Sequence, residues 1–120
     1  MPNVTADQES NAGSEIMEKQ MIILRFKIRS NPGKSDELMA ALAEIITPAR
    51  ATDGVISFDI ARTLLEPDSF IATALYDNGA ALERQESLPQ VARVMAMLPE
   101  SLVAPPERTI FDASVDQTLV

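Results

Sequence analysis

The amino-acid sequence predicts an α+β fold in which a four-stranded antiparallel sheet carries its helices on one face. Four segments alternate apolar and polar residues with the period of two that is typical of a half-buried strand. Two other regions repeat apolar residues at the spacing of an amphipathic helix. Turn-forming Gly, Pro, Asn and Asp residues separate these segments and give the order β-α-β-β-α-β.

The first strand and the first helix come from the segment that begins at Gln20. In QMIILRFKIRS, apolar residues at every second position from Ile22 alternate with basic residues, which predicts a strand. NPGKS then turns the chain, and Ser35 is the expected N-cap of the helix that follows. The apolar face of that helix begins at Leu38, and Pro48 predicts that the helix ends near residue 50.

Two strands, a second helical region and a last strand follow. TDG ends the first helical region, and VISFDIART predicts a strand with Ile56, Phe58 and Ile60 on one face. LLEPDS reads as a hairpin connection to the third strand, FIATALYD. Asn78 is the expected N-cap of a helix beginning GAALERQES, and Pro89 fits the first turn of its continuation. RTIFDASV predicts the fourth strand.

This order of elements is that of the ferredoxin-like fold, in which the two helical regions cover one face of the sheet. The other face is then uncovered in a single subunit. By alternation, the uncovered face is expected to carry Ile23, Val55 and Ala72 beside Arg25, Lys27, Arg29, Asp59 and Asp112. Because this surface is neither an apolar core nor uniformly charged, we expect a second copy of the chain to cover it in a homodimer.

The composition bounds the domain organisation, the location and the partners. Residues 1–19 are polar and unperiodic, which predicts a flexible tail, and residues 20–120 are expected to form one domain. The chain has no apolar leader region and no run near the roughly 20 apolar residues that span a bilayer, so we expect a cytoplasmic protein with no membrane partner. A net charge of -8 does not provide the basic surface that nucleic-acid binding requires.

The chain contains neither cysteine nor histidine. Thiolate nucleophiles, zinc–thiolate sites and iron–sulfur clusters are therefore excluded, and the side chain that most often titrates near neutral pH is missing. These absences also remove the side chains that most often bind metals. Any chemistry must come from hydroxyl, carboxyl, amide and cationic side chains, or from the substrate.

Two stretches carry a resemblance to a known family. The turns PGK, TDG and EPDSF and the sequence YDNGAAL occur in this order within NPGKSDELMAALAEIITPARATDGVISFDIAR and LEPDSFIATALYDNGAALERQESLPQVARVMAML. In this order and spacing, about residues 20–115 resemble the antibiotic biosynthesis monooxygenase domain of the dimeric α/β-barrel superfamily. The resemblance implies homodimers formed by stacked sheets, with a pocket between each sheet and its own helices. It also implies oxidation of quinols or polyketide aromatics by molecular oxygen without a bound metal or flavin, although other members degrade haem or have lost catalysis.

The sequence departs from the family pattern at four positions. Tyr76 stands where the family often has tryptophan, and Ala74 stands where an acid is usual. Gln85 and Gln90 stand where histidines are common. Without an imidazole to bind iron, haem degradation is not expected.

The resemblance and the residue types together suggest a candidate site. Tyr76, Gln85 and Arg93 are the candidate catalytic residues: a hydroxyl donor, an amide that orients a ligand, and a cation that stabilises an enolate or phenolate. The candidate substrate-binding residues are Leu42, Phe58, Arg84, Gln90 and Met95. The alternative for the apolar members is simple core packing, and for the polar members a solvated helix surface or, for Tyr76, closure of the sheet edge.

Two functions are consistent with these residues. The first is a small homodimeric, cofactor-independent monooxygenase that acts with O2 on a quinol-like or polycyclic aromatic compound. A dihydroxyaromatic ionises partly without a strong base, so a dry pocket, orientation and anion-stabilising donors would suffice. The second is a non-catalytic ligand-binding or dimerisation module of the same fold, which the two glutamines and the absence of histidine favour.

Overall fold

A computed structural model describes the backbone of residues 19–115 and the side chains of residues 20–114. Four antiparallel strands form one sheet in the order β2-β3-β1-β4: β1 (Lys19–Arg29), β2 (Val55–Arg62), β3 (Ser69–Tyr76) and β4 (Glu107–Val115). The helices are α1 (Ser35–Arg50), α2 (Gly79–Glu86) and α3 (Pro89–Ser101), and a short 3-10 turn (Pro32–Lys34) precedes α1. The predicted ferredoxin-like fold is confirmed. The predicted tail lies outside the described residues, apart from Lys19.

The hydrophobic core lies between the helices and one face of the sheet. The period-two alternation of the strands places one set of side chains under the apolar stripes of α1 and α3. The large side chains of this core are Leu24, Ile28, Leu38, Leu42, Ile45, Phe58, Phe70, Tyr76, Leu82, Val94 and Leu98, all of them buried. Burial of such side chains is the main source of stability, at about 1.5–3 kcal/mol for each large apolar group.

The start of α1 differs from the prediction. Ser35 is already helical, with φ -60° and ψ -44°, because the 3-10 turn before it has fixed the helical direction of the chain. Asn31 caps that turn instead, and its side-chain oxygen accepts a hydrogen bond from Gly33 N at 3.0 Å. The Ser35 hydroxyl donates to the Asp68 carboxylate at 2.5 Å and so ties the start of α1 to the β2–β3 hairpin.

The second helical region is two helices rather than one. Asn78 caps α2 as predicted, since its side-chain oxygen accepts a hydrogen bond from Ala81 N at 3.0 Å. Leu88 is extended, with φ -63° and ψ 141°, as expected of a residue that precedes proline. Pro89 then opens α3 as a new helix. Among the described residues, no helix combines the length and the apolar character needed to cross a lipid bilayer.

The two faces of the sheet differ from the prediction at four positions: Ile56 was expected beside Phe58 and Ile60, and Val55, Ala72 and Asp112 were expected on the uncovered face. The register shifts between Val55 and Ser57, so Val55 lies opposite Tyr76 and packs against the core. This irregularity leaves Ile56 45% exposed. Ala72 pairs with Phe26 and Asp112 pairs with Ile22, which places both of them on the helix side of the sheet.

Successive side chains of a strand point to opposite faces of the sheet, so the register of each strand decides which residues lie on the open face. The open face therefore carries the odd-numbered residues of β1, β3 and β4. The expected Ile23, Arg25, Lys27, Arg29 and Asp59 belong to it, together with Ile71, Leu75 and Phe111. On the helix side, Ile110 of the edge strand β4 is 41% exposed, so the helices leave this edge partly uncovered.

Gly54 provides a test of the turn between α1 and β2. Its φ is +87°, and a Cβ at this position would lie 2.6 Å from the Cβ of Ala81. We expect Gly54→Ala to lower the free energy of unfolding by about 1–3 kcal/mol, because it adds backbone strain and a clash with α2. Gly79→Ala is the matched control, since open space surrounds Gly79 and its φ is not positive. Urea unfolding of both variants checks this, and equal losses of stability would contradict it.

Candidate functional site

A cavity of about 320 Å³ lies between the helix side of the sheet and the helices above it. Its walls are largely apolar and come from β1, β2, β3, α1 and α3. The apolar wall residues are Leu24, Phe26, Leu42, Ile45, Phe58, Ile60, Ala72, Val91, Val94 and Met95. A cavity of this size and character suits a small apolar ligand, since pockets for such ligands measure roughly 300–1,000 Å³.

The polar wall of the cavity consists of Gln85, Glu86 and Arg108, which we call the polar edge. Gln85 is 2% exposed, whereas the side chains of Glu86 and Arg108 are 34% and 45% exposed. Arg108 Nη2 donates to both Glu86 carboxylate oxygens at 2.9 Å, and its Nε donates to Oε2 at 3.3 Å. The polar edge is therefore the part of the cavity wall whose side chains can form hydrogen bonds with a polar group of a ligand.

A buried hydrogen bond fixes the orientation of the Gln85 amide. Tyr76 is 0% exposed, and its hydroxyl donates to Gln85 Oε1 at 2.5 Å. Because the oxygen is held by Tyr76, the amide nitrogen is the part of the side chain left for another partner. Among the described residues, none accepts a hydrogen bond from Gln85 Nε2. Tyr76 thus positions Gln85 as a hydrogen-bond donor at the cavity.

Burial raises the pKa of Tyr76 well above its ordinary value of about 10, and the nearby Glu86 carboxylate raises this pKa further. The Arg108 guanidinium opposes this with a smaller lowering effect. Tyr76 therefore stays protonated at neutral pH and serves as a hydrogen-bond donor rather than as a base.

The structure brings four of the candidate residues to the cavity wall. Leu42, Phe58 and Met95 contribute to the apolar wall, and Gln85 belongs to the polar edge. Tyr76 reaches the cavity through its hydrogen bond to Gln85.

The other three candidates lie away from the cavity. Arg84 donates through Nη2 to the Asp53 carbonyl at 2.9 Å, and Arg93 is paired with Glu44 on the exposed surface. Gln90 does not border the cavity, and its side-chain oxygen is buried without a hydrogen-bond partner among the described residues. All three residues lie on helices, and the direction of their side chains depends on how those helices pack against the sheet. The periodicity of apolar residues does not specify that packing.

Sequence reasoning missed Glu86 and Arg108. Arg108 precedes Ile110 by two residues in β4, so the two side chains lie on the same face of the sheet. This spacing is the feature of the sequence from which the location of Arg108 could have been predicted. The sequence does not show which face of β4 meets the helices, because Ile110 and Phe111 are both apolar and lie on opposite faces. Only the pairing of β4 with β1 decides this. Glu86 directly follows Gln85, but its role depends on Arg108, which is 22 residues away.

Comparison with known proteins identifies the family. The family model described as antibiotic biosynthesis monooxygenase matches residues 21–97. The chain belongs to this family. The matched residues contain the whole apolar wall, Gln85 and Glu86, while Arg108 lies beyond them.

One curated protein and two solved structures illustrate what the chain is similar to. The uncharacterized protein sll1783 of Synechocystis is 29% identical over 98 residues, which cover 82% of this chain and 67% of that protein. The solved structure of Rv0793 from Mycobacterium tuberculosis superposes with a TM-score of 0.70 at 24% identity, covering 76% of this chain and 92% of that one. Protein SO0527 from Shewanella oneidensis gives a TM-score of 0.73 at 20% identity, covering 81% and 94%. The two structures share the fold.

The burial of Tyr76 predicts an unusual titration. The chain has one tyrosine and no tryptophan, so the near-ultraviolet absorbance of tyrosinate reports this residue alone. We expect no tyrosinate signal from the folded protein as the pH rises past about 10, whereas the urea-unfolded chain should titrate near that value. Because only the unfolded state then loses this proton, stability should fall as the pH rises above about 10. Half-titration of the folded protein near pH 10 would contradict the buried hydrogen bond.

Proposed function

We propose that this protein is a homodimeric monooxygenase that oxidises a quinol-like or polycyclic aromatic compound with O2 and without a bound cofactor. The observation that carries the proposal is an apolar cavity with a single polar edge in a member of the antibiotic biosynthesis monooxygenase family. The aromatic rings would lie against the apolar wall, and the oxygen substituents would meet the polar edge. The cytoplasm is the proposed location.

The reaction balances without a separate reductant. In the proposed step on an anthrone-like phenol, a ring carbon that bears hydrogen opposite the hydroxyl becomes a carbonyl carbon, and the phenol becomes a quinone. In a quinol, where the opposite carbon already carries oxygen, a neighbouring C–H carbon gains a hydroxyl and the two original hydroxyls become carbonyls. In both cases one atom of O2 becomes the new oxygen substituent, and the other leaves as water with the two hydrogens that the substrate loses. The substrate thus supplies all four electrons that O2 accepts.

The residues of the polar edge have separate tasks in this proposal. Donors from Gln85 Nε2 and Arg108 stabilise the phenolate oxygen as charge develops, and the Glu86 carboxylate accepts a hydrogen bond from a substrate hydroxyl. Tyr76 is a positioning residue, because it acts through Gln85. The apolar wall keeps water from the reacting carbon. Arg84, Arg93 and Gln90 have no task here, because none of them borders the cavity.

The homodimer in this proposal uses the open face of the sheet. Phe111 is 48% exposed on this face and lies opposite Ile23, which in turn lies opposite Leu75. Ion pairs flank these apolar side chains, with Arg25 at 3.7 Å from Glu107 and Lys27 at 3.1 Å from Glu66. A central apolar group with a charged surround is typical of an interface between subunits. A second copy would therefore stack its own sheet on this face.

Filling the cavity should reduce activity without unfolding the protein. Ala72→Leu adds a larger side chain to the cavity wall, so we expect kcat/KM for a hydroquinone or anthrone substrate to fall roughly tenfold or more, the equivalent of about 1.4 kcal/mol. Ala43→Leu, on the exposed side of α1, is the matched control and should keep wild-type activity. Oxygen uptake with a panel of these compounds, together with incorporation of labelled oxygen from O2, provides the measurement.

The same experiment separates the two candidate functions. If panel compounds bind with a stoichiometry of one per chain but no enzyme-dependent oxygen uptake occurs, the protein is a non-catalytic binding module and the monooxygenase proposal fails. If Ala43→Leu loses as much activity as Ala72→Leu, the cavity is not the active site.

The proposed dimer predicts a difference between two neighbouring residues of β4. Phe111→Glu places a charge on the open face and should yield a monomer at micromolar concentration. Ile110→Glu changes a residue of similar exposure on the opposite face and should leave the dimer intact. Sedimentation equilibrium measures both masses, and a wild-type mass of one chain would refute the dimer.

A further inference from the structure

The polar edge contains an acid at an unfavourable place in its helix. Glu86 is the last residue of α2, where the negative end of the helix dipole disfavours a carboxylate. Arg108 crosses from the edge strand β4 and donates three hydrogen-bond contacts to this carboxylate. Because partly exposed ion pairs add about 0–1 kcal/mol, stability alone is a weak reason for the arrangement.

The residues of the polar edge, which line the cavity, keep hydrogen-bonding groups that no described residue occupies. Arg108 binds Glu86 through Nη2 and Nε, and among the described residues none accepts a hydrogen bond from its Nη1. Gln85 Nε2 is a second such donor. The Glu86 oxygens keep lone pairs that can accept from a ligand. The polar edge thus offers donors beside acceptors with a net charge of zero.

We infer that the polar edge selects uncharged aromatic ligands that carry a hydrogen-bond donor beside an acceptor, and rejects carboxylates with the same rings. The inference rests on the proposed function only in taking the cavity as the ligand site. An uncharged ligand donates to Glu86 and accepts from Gln85 or Arg108 while the ion pair stays intact. A carboxylate either displaces Glu86 from Arg108 or lies beside it, and both arrangements bring two negative charges together.

This selectivity does not follow from the fold or the family match. Arg108 lies outside the matched residues 21–97. The apolar wall by itself disfavours a carboxylate relative to its neutral analogue, because burying an ionised group costs more than burying an amide, but this cost does not depend on the residue at position 86. The charge of Glu86 therefore sets the part of the preference that changes when the polar edge is altered, and Arg108 prevents that charge from excluding every oxygen-bearing ligand.

Two probes of the same shape test the inference. 2-Naphthamide presents an N–H donor beside a carbonyl acceptor, and 2-naphthoate replaces the donor with a negatively charged oxygen. For the full chain at neutral pH, we expect calorimetric titration to give a Kd for the amide roughly tenfold lower than that for the carboxylate, a difference that lies within the range for charges a few ångströms apart at a half-exposed site.

Variants of the ion pair should shift this preference in opposite directions. Glu86→Gln frees Arg108 and should reduce the preference at least fivefold or reverse it. Arg108→Gln leaves the carboxylate unpaired and should enlarge it. Glu83→Gln is the matched control, because it removes the same charge from an exposed position of the same helix, away from the cavity, and should leave the ratio unchanged.

The outcomes separate this inference from the proposed activity. Neither probe carries an oxidisable phenol, so its binding does not depend on turnover. Loss of oxygen uptake with the amide preference retained would refute the activity alone. The inference is overturned if neither probe binds saturably, if Glu86→Gln and Arg108→Gln both keep the wild-type ratio within about twofold, or if Glu83→Gln shifts the ratio as much as Glu86→Gln. Circular dichroism verifies the fold of each variant, and either ion-pair variant that folds is sufficient for the test.

Discussion

The cavity depends on how the helices pack against one face of the sheet. Large side chains from β1 and β2 meet the apolar stripes of α1 and α3, but β3 presents Ala72 and Ala74 at the middle of this face. Close packing elsewhere holds the helices at the height that the large side chains require. The helices therefore cannot collapse onto the alanines, and space remains over Ala72. In this arrangement the core that stabilises the fold also maintains the cavity.

The Tyr76–Gln85 hydrogen bond connects this packing to the chemistry of the cavity. Both side chains are almost completely buried, so each polar atom needs a partner if the folded state is to avoid the cost of burying it unpaired. Their mutual hydrogen bond meets that requirement for the Tyr76 hydroxyl and for Gln85 Oε1, sets the orientation of the amide, and leaves Gln85 Nε2 for another partner. A polar group that is satisfied in this way is rigid, and a rigid donor costs little to organise when a ligand binds. The Gln85 amide does not titrate, so charge at the polar edge comes from Glu86 and Arg108.

The edge strand β4 contributes to the cavity because the helices do not cover it fully. A side chain on the helix side of β4 can reach across the uncovered region, and Arg108 does so to meet Glu86 at the end of α2. The family model matches residues up to 97, whereas this contact comes from residue 108. The family match therefore does not include the Arg108 side of the polar edge, and fold-level similarity to solved structures below 25% identity says nothing about the charge there.

The order of the elements, the antiparallel sheet and three apolar members of the cavity wall could be predicted from the sequence. Strand alternation and helix periodicity are local properties, so Leu42, Phe58 and Met95 reach the cavity wall once their elements form. The irregularity at Val55, the faces of Ala72 and Asp112, and the meeting of Arg108 with Glu86 depended on strand register and helix docking. These are relations between distant segments, and a local pattern of apolar residues contains no information about them. Arg84 and Arg93 show the same limit, because their helical positions permitted either a pocket or a surface location and the packing of the helices chose the surface.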